Sequence, residues 1–308
     1  MESETNITYI TIGGYVDLPK YRYVYFVGIF IVYISILLCN FTVVYLICKH
    51  KNLHEPMYIF IAALLVNTVV YSTNIYPKLL SDILSSNLVV PYSGCLLQFF
   101  IFYTLACSEF LLLTVMSYDR YVSICEPLQY QTVMKTSRVC LFLGFAWTVP
   151  ALLMMVPVVL SADMKLCQFT LNSVICNNAM YSLHCQGSTA RSVFGATALV
   201  LTVLFPVLFI VFTYSRILVI SYRSCKEVRR KAAQTCLPHL LVLISFSILC
   251  SYDVITARLG SQLSKTVRLL MTMQAFLYHP LFNPLIYGLK MSEISKHLKR
   301  LLCRAKVN

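Results

Sequence analysis

The chain alternates long uncharged stretches with short charged ones. Residues 23–48, 57–77, 139–162, 192–215, 236–252 and 269–289 carry no Asp, Glu, Lys or Arg, and residues 95–118 are interrupted only by Glu109. A helix needs about 20 apolar residues to cross the hydrocarbon of a bilayer. The pattern therefore predicts seven membrane-spanning helices, the sixth (236–252) being the shortest. A transmembrane barrel would show alternating segments of about ten residues, and these runs are longer and do not alternate. Residues 1–19 are polar or mixed and carry Glu2, Glu4 and Asp17. They do not read as a cleavable signal peptide, so the first span is expected to act as its own insertion signal.

Composition supports this division. Of 308 residues, 58% are hydrophobic and 12% charged, with a mean hydropathy of +0.74. Soluble domains carry about 25% charged residues. Disorder requires the opposite balance of charge and hydrophobicity, and a soluble globule could not cover so much apolar surface. The net charge of +13 changes meaning once the charges are placed. With the N-terminus outside, 17 of the 25 Lys and Arg residues fall on inner loops and the tail and 8 on the outer side. The positive-inside rule favours that orientation, so the excess records topology and no nucleic-acid partner is implied. The expected organisation is an extracellular segment (1–22), a seven-helix membrane domain (23–289) and a cytoplasmic tail (290–308) with a short amphipathic helix from Ser292 to Leu302. The basic stretch Lys226, Arg229, Arg230 and Lys231 suits contact with anionic membrane lipid.

Two features fit an outside N-terminus. Asn6-Ile7-Thr8 is a glycosylation sequon, usable only on the lumenal side. Cys95, Cys167, Cys176 and Cys185 fall outside, where disulfides form; spacing alone allows three pairings of four cysteines.

Few ionisable groups lie inside the spans. Asp119-Arg120 sits at the inner mouth of span three, where an ion pair can hold one state and break in another; a snorkelling interfacial pair is the plainer reading of the bare dipeptide. Glu109 is a carboxyl in mid-membrane, a functional candidate because its burial is costly unless neutralised or partnered. No GxGxxG, GxxxxGK[ST], HExxH or GxSxG run is present, no His/Cys cluster has metal spacing, and no internal repeat suggests a transporter. Neither an enzyme nor a cofactor is expected.

The residues around Asp119-Arg120 are more specific. Met116-Ser117-Tyr118-Asp119-Arg120-Tyr121-Val122-Ser123-Ile124-Cys125-Glu126-Pro127-Leu128-Gln129-Tyr130 resembles the MAYDRYVAICxPLxY signature of odorant receptors, a branch of the rhodopsin-like (class A) G-protein-coupled receptors, with Ser117 and Ser123 where Ala is usual. Leu53-His54-Glu55-Pro56-Met57-Tyr58 resembles LHxPMY. Lys231-Ala232-Ala233-Gln234-Thr235-Cys236-Leu237-Pro238-His239-Leu240 resembles KAxxTCxxHL, and Pro280 to Tyr287 resembles PxxNPxIY. Asn40, Trp147, Pro206 and Tyr214 sit at marker positions. Glu55 and the Cys-Leu-Pro-His run look closest to fish odorant receptors.

The resemblance implies a receptor that binds a small-molecule odorant from outside and activates a heterotrimeric G protein of the stimulatory, cyclic-AMP-raising type. It implies a multi-pass plasma-membrane protein of olfactory cilia or microvilli, with room for a homo- or hetero-oligomer. A non-olfactory class A receptor is the nearest alternative. The switch set would be Asp119, Arg120, Tyr121, Tyr214, His239, Asn283, Pro284 and Tyr287, with the two tyrosines of spans five and seven moving toward Arg120 as span six swings outward. The disulfides would be Cys95–Cys176 and Cys167–Cys185, and Cys303 is a palmitoylation candidate. Ligand positions would be Phe102, Tyr103, Ala106 and Cys107 on span three, Ala198 and Thr202 on span five, Ser247, Cys250, Ser251 and Val254 on span six, and Met273 and Phe276 on span seven. In the family a Glu at 109 commonly pairs with a span-two Asp at a sodium site; here Leu65-Val66-Asn67-Thr68 supplies none. Three readings of Glu109 stay open: a protonated carboxyl, a hydrogen bond to Asn67, or weak sodium binding with Asn283. Asn40, Asn67 and Glu109 are the buried polar residues expected.

Overall fold

The computed structural model of the chain describes residues 8–15, 18–85, 87–187, 189–223, 236–248, 250–251 and 264–305. Helix α1 runs Leu18–Lys49, α2 Pro56–Leu84, α3 Tyr92–Cys125, α4 Thr136–Ala162, α5 Thr189–Arg223, α6 Cys236–Ile248, α7 Lys265–Lys290 and α8 Ser292–Ala305. Among the described residues α1 to α5 are long and apolar enough to cross a membrane. Helix α6 is apolar but shorter over its described part, which ends before Tyr252, the expected limit of that span. Most helices extend a few residues beyond the uncharged stretches. Lys49, Arg223 and Lys290 each lie in a last turn, where a cation meets the partial negative charge of the free carbonyls.

Local sequence sets the boundaries. Pro56 opens α2, where its missing N–H has no helical partner to lose. Pro127 drives Glu126 out of the helical region, and α3 ends at Cys125. Ser264 caps α7 by accepting from the Val267 N–H at 3.3 Å. In α5 a π-helical turn, Val200–Leu204, precedes Pro206, whose ring disturbs the hydrogen-bond ladder.

Helices α2 and α3 are the most enclosed, while α1, α4 and α5 turn much of their apolar surface outward. Exposed side chains such as Phe30, Ile31, Leu38, Leu141, Leu152, Phe205 and Phe212 suit contact with lipid tails. The half of the bundle toward the Asp119-Arg120 end of α3, inner in the expected orientation, is a packed cluster that includes Leu64, Phe110, Leu113, Met116, Tyr214, Phe246 and Tyr287.

Helix α7 contains two prolines, Pro280 and Pro284, and each strips the carbonyl four residues earlier of its donor. Neighbouring helices replace both donors. Tyr76 Oη of α2 donates to the Phe276 carbonyl at 3.0 Å, and Asn40 Nδ2 of α1 donates to the Pro280 carbonyl at 3.1 Å. An unsatisfied carbonyl is especially costly where no water can reach it, so these bonds fix the position of α7 against α1 and α2.

The opposite end, outer in the expected orientation, holds a small sheet that the sequence pattern did not predict. Strand β1 (Tyr9–Ile12) pairs antiparallel with β2 (Val89–Pro91) and parallel with β3 (Thr170–Leu171). Ile10 and Ile12 are buried with Leu171, Met180 and Leu183 under the loop between α4 and α5. Gly14 is required here: a Cβ would lie 2.3 Å from the Ser173 carbonyl carbon. The N-terminal segment is thus stitched beneath the long loop. Asn6 lies outside the described residues.

Candidate functional site

At the inner end of α3, Asp119 and Arg120 are buried side by side. Arg120 Nε donates to Asp119 Oδ2 at 2.9 Å, with a second, shorter contact from Nη2. Tyr130 Oη donates to Asp119 Oδ1 at 2.9 Å, so both carboxylate oxygens are held. The pair is packed and hydrogen-bonded, unlike a snorkelling interfacial pair. Tyr121 Oη reaches Glu126 Oε1 at 3.4 Å. Tyr214, His239 and Tyr287 are buried nearby, and Tyr287 Oη lies 3.3 Å from His239 Nδ1, joining α7 to α6.

One layer outward lies the buried Glu109. Its Oε1 makes a short contact with His279 Nε2 of α7 and accepts from Asn283 Nδ2 at 3.1 Å. Asn283 Nδ2 also donates to Thr68 Oγ1 of α2 at 3.2 Å. His279 and Asn283 are four residues apart and share a face of α7, so one strip of that helix carries both partners of the α3 carboxyl. The sequence reading missed His279, although its spacing from Asn283 was a usable signal. Among the described residues no cluster of three or more His, Cys, Asp and Glu could hold a metal ion.

The Asn67–Glu109 hydrogen bond, one of the three readings left open for Glu109, is absent. Asn67 instead bridges α3 and α4: its Nδ2 donates to the Leu105 carbonyl at 3.0 Å and its Oδ1 accepts from Trp147 Nε1 at 3.1 Å. Residues 67 and 68 lie about 100° apart around the helix, and it is Thr68 that meets Asn283, the partner of Glu109. Asn67→Ala should therefore lower stability by about 1–3 kcal/mol through orphaned buried groups, seen as a reduced melting temperature of the purified protein.

The expected ligand positions fall in two packed groups. Phe102 and Phe276 share a cluster with Tyr71, Val174 and Ile175, and Met273 packs against it. Cys107 and Ala198 form another with Met154, where Thr202 Oγ1 donates to the Ala198 carbonyl at 2.8 Å and lies 3.3 Å from Cys107 Sγ. Ala106 packs between the larger clusters. Tyr103 Oη accepts from the Asn178 N–H of the outer loop at 3.0 Å. Cys250 packs toward the inner cluster, Ser247 is half-buried and Ser251 is exposed. Val254 lies outside the described residues.

The structure links Cys95 to Cys176 and Cys167 to Cys185, binding the outer loop to α3 and to itself. His184 of that loop sits in a chain of hydrogen bonds. Arg191 Nη1 of α5 lies 2.8 Å from His184 Nδ1, His184 Nε2 lies 2.8 Å from Tyr92 Oη of α3, and Tyr92 Oη donates to the Ser161 carbonyl of α4 at 3.0 Å. Arginine only donates, so Nδ1 accepts and Nε2 carries the proton. A second proton would confront the guanidinium. Burial and then Arg191 lower the His184 pKa below its ordinary 6.5. The folded form favours the neutral ring, so its stabilisation is complete above about pH 6.5 and is lost as pH falls below it. Thermal unfolding at pH 7.5, 6.5 and 5.0 should show this acid-side loss, and His184→Gln should flatten it.

A helical bundle with a disulfide-tied outer loop, a buried Asp-Arg pair on α3 and a proline-broken α7 invites comparison with known proteins. The family model described as Olfactory receptor matches residues 29–305. The chain belongs to the olfactory receptor family. Human olfactory receptor 11A1 is 33% identical over 305 residues, covering 96% of this chain and 94% of that one. Mouse olfactory receptor 2A7 is 34% identical over 303 residues, covering 97% and 96%. Squid rhodopsin superposes with a TM-score of 0.77 at 19% identity, covering 94% of this chain and 87% of that one, and supports the fold. The receptor is a class A, multi-pass membrane protein and not an enzyme.

Proposed function

We propose that the receptor takes up a small-molecule odorant from the extracellular side and activates a heterotrimeric G protein of the stimulatory olfactory type, raising cyclic AMP, in the cilia or microvilli of sensory neurons. Ligand binds between α3, α5, α6 and α7, and seven helices cross the membrane with the N-terminus outside. The orientation is supported by the small sheet, which puts the N-terminal strand on the side of both disulfides, where the environment is oxidising.

The observation that carries the mechanism is the succession of two buried polar groups along α7: Glu109, His279 and Asn283 in the centre and, one turn further on, Tyr287 with His239. A ligand that favours one position of α7 against α3 shifts the equilibrium between closed and open inner faces. In the closed state Arg120 stays on Asp119; in the open state it is released to the G protein, with Tyr214 and Tyr287 moving toward it.

The test is an odorant panel that includes water-soluble amines and amino acids, applied to cells co-expressing the receptor and the olfactory stimulatory G protein. At least one compound should raise cyclic AMP in a dose-dependent way. Ligand-driven ion flux that persists without any G protein would replace this reading with a channel.

A further inference from the structure

His279 presents an unused polar atom. The residue is 3% exposed, its Nε2 is engaged by Glu109, and its Nδ1 is buried with no hydrogen-bond partner. The surroundings are aromatic: the Phe246 ring of α6 lies 4.4 Å from the imidazole and the Tyr71 ring of α2 lies 6.4 Å away, edge-on. Tyr71 packs in turn on Phe102 at 5.2 Å. One turn outward on the same helix, Phe276 closes the cluster. Through Tyr71 the imidazole thus adjoins the cluster that holds Phe102 and Phe276, two of the positions expected to hold ligand.

The proton count decides what Nδ1 offers. A buried carboxyl and imidazole in contact are kept as a net-neutral pair, because an unbalanced charge in so dry a place is strongly disfavoured. Three arrangements are net-neutral: a carboxylate facing an imidazolium, a carboxylic acid donating from Oε1 to Nε2 of a neutral ring, or an acid protonated on Oε2 whose Oε1 accepts from Nε2–H. The third leaves the Oε2 proton without an acceptor, because the hydrogen bonds of Glu109 to described residues are all on Oε1. The first two differ only in where the proton sits along the Glu109–His279 contact, and in both Nδ1 bears hydrogen. Asn283 Nδ2, which only donates, lies within reach of Thr68 Oγ1, Glu109 Oε1 and, at 3.3 Å, His279 Nε2, and a donor beside Nε2 favours the arrangement in which Nε2 accepts and Nδ1 bears hydrogen. His279 is thus a hydrogen-bond donor lacking an acceptor, within an aromatic cage.

We propose that His279 Nδ1–H is the polar contact of the odorant site and selects small uncharged ligands bearing a carbonyl acceptor (aldehydes and ketones), whose hydrocarbon part packs against Phe102, Phe246 and Phe276. This rests on the odorant reading above and adds the ligand class. It also makes the ligand's anchor part of the α3–α7 contact, so binding acts directly on the joint between those helices.

The test uses matched probes: benzaldehyde, acetophenone and ethylbenzene as one series, heptanal, 2-heptanone and heptane as the other. Each is applied to cells expressing the receptor and to purified receptor in a thermal-shift assay. The carbonyl members should be more potent than the hydrocarbon of the same skeleton by about tenfold or more, the effect of one hydrogen bond from a polarised donor. His279→Phe should erase that preference, and His279→Gln, which keeps an N–H donor, should retain it. The comparison within the unaltered receptor needs no variant, so a variant that fails to reach the surface leaves the test intact. Equal potency of carbonyl and hydrocarbon probes, or a preference that survives His279→Phe, overturns the inference while the odorant reading stands. If the carbonyl probes are silent while alcohols, amines or acids from the wider panel respond, the inference again fails alone. Silence to every compound in both assays removes the odorant reading and the inference with it.

Discussion

Arg120→Ala should reduce ligand-driven cyclic AMP to background while the receptor still reaches the surface. The geometry separates the two outcomes. Arg120 is buried on Asp119 through two hydrogen bonds, so removing it deletes the group the open state would offer to a G protein. Asp119 keeps a partner in Tyr130 at 2.9 Å, which limits the damage to folding. Asp119→Asn should act in the opposite sense. It weakens the closed pair and leaves Arg120 in place, so basal signalling should rise. Coupling energies of about 1–3 kcal/mol correspond to roughly 5–150-fold shifts in such an equilibrium. Surface labelling alongside cyclic AMP readings tests both variants. Full ligand response from Arg120→Ala would place G-protein engagement elsewhere.

Cys95→Ser should sharply lower surface expression. Cys95 and Cys176 are 81 residues apart and their bond ties the outer loop to the start of α3, beside the N-terminal strand. A disulfide of this kind contributes about 2–4 kcal/mol. Its loss also loosens the cover over Phe102 and Phe276, because the loop residues Val174 and Ile175 pack in that cluster. Cys95→Ser/Cys176→Ser should be no worse than the single variant, since both lose the same bond. Cys303→Ser, which changes an exposed free thiol on α8, should leave expression unaltered. Flow cytometry of surface-tagged receptor measures all three. Normal trafficking of Cys95→Ser would remove the bridge from the list of folding requirements.

The buried polar groups show where sequence reasoning reached and where it stopped. Glu109 and Asn283 stand out in the sequence because charge and amide are rare in such apolar runs. Their partners do not. Glu109 and His279 are 170 residues apart, and Asn40 and the Pro280 carbonyl 240 apart. Which face of α7 meets α3 depends on how the helices rotate about their axes, and that follows from packing the whole bundle. The choice between Asn67 and Thr68 shows the sensitivity: a step of one residue turns a side chain from the bridge between α3 and α4 to Asn283, the partner of Glu109. The relay through His184 was hidden for another reason, since its loop has no helical period from which to read a face.

By itself, then, the sequence determined the membrane class and, through its motifs, the receptor family, and its basic residues supplied an expected orientation. These depend on hydrophobic run length, charge placement and local patterns, all of which are one-dimensional. Only the tertiary structure decided that His279 faces Glu109, that Asn40 and Tyr76 supply the donors that Pro284 and Pro280 remove from α7, and that the N-terminal strand lies under the long loop, with Gly14 against Ser173. Those outcomes rest on close approach between distant segments, where a shift of one residue or one turn exchanges one partner for another.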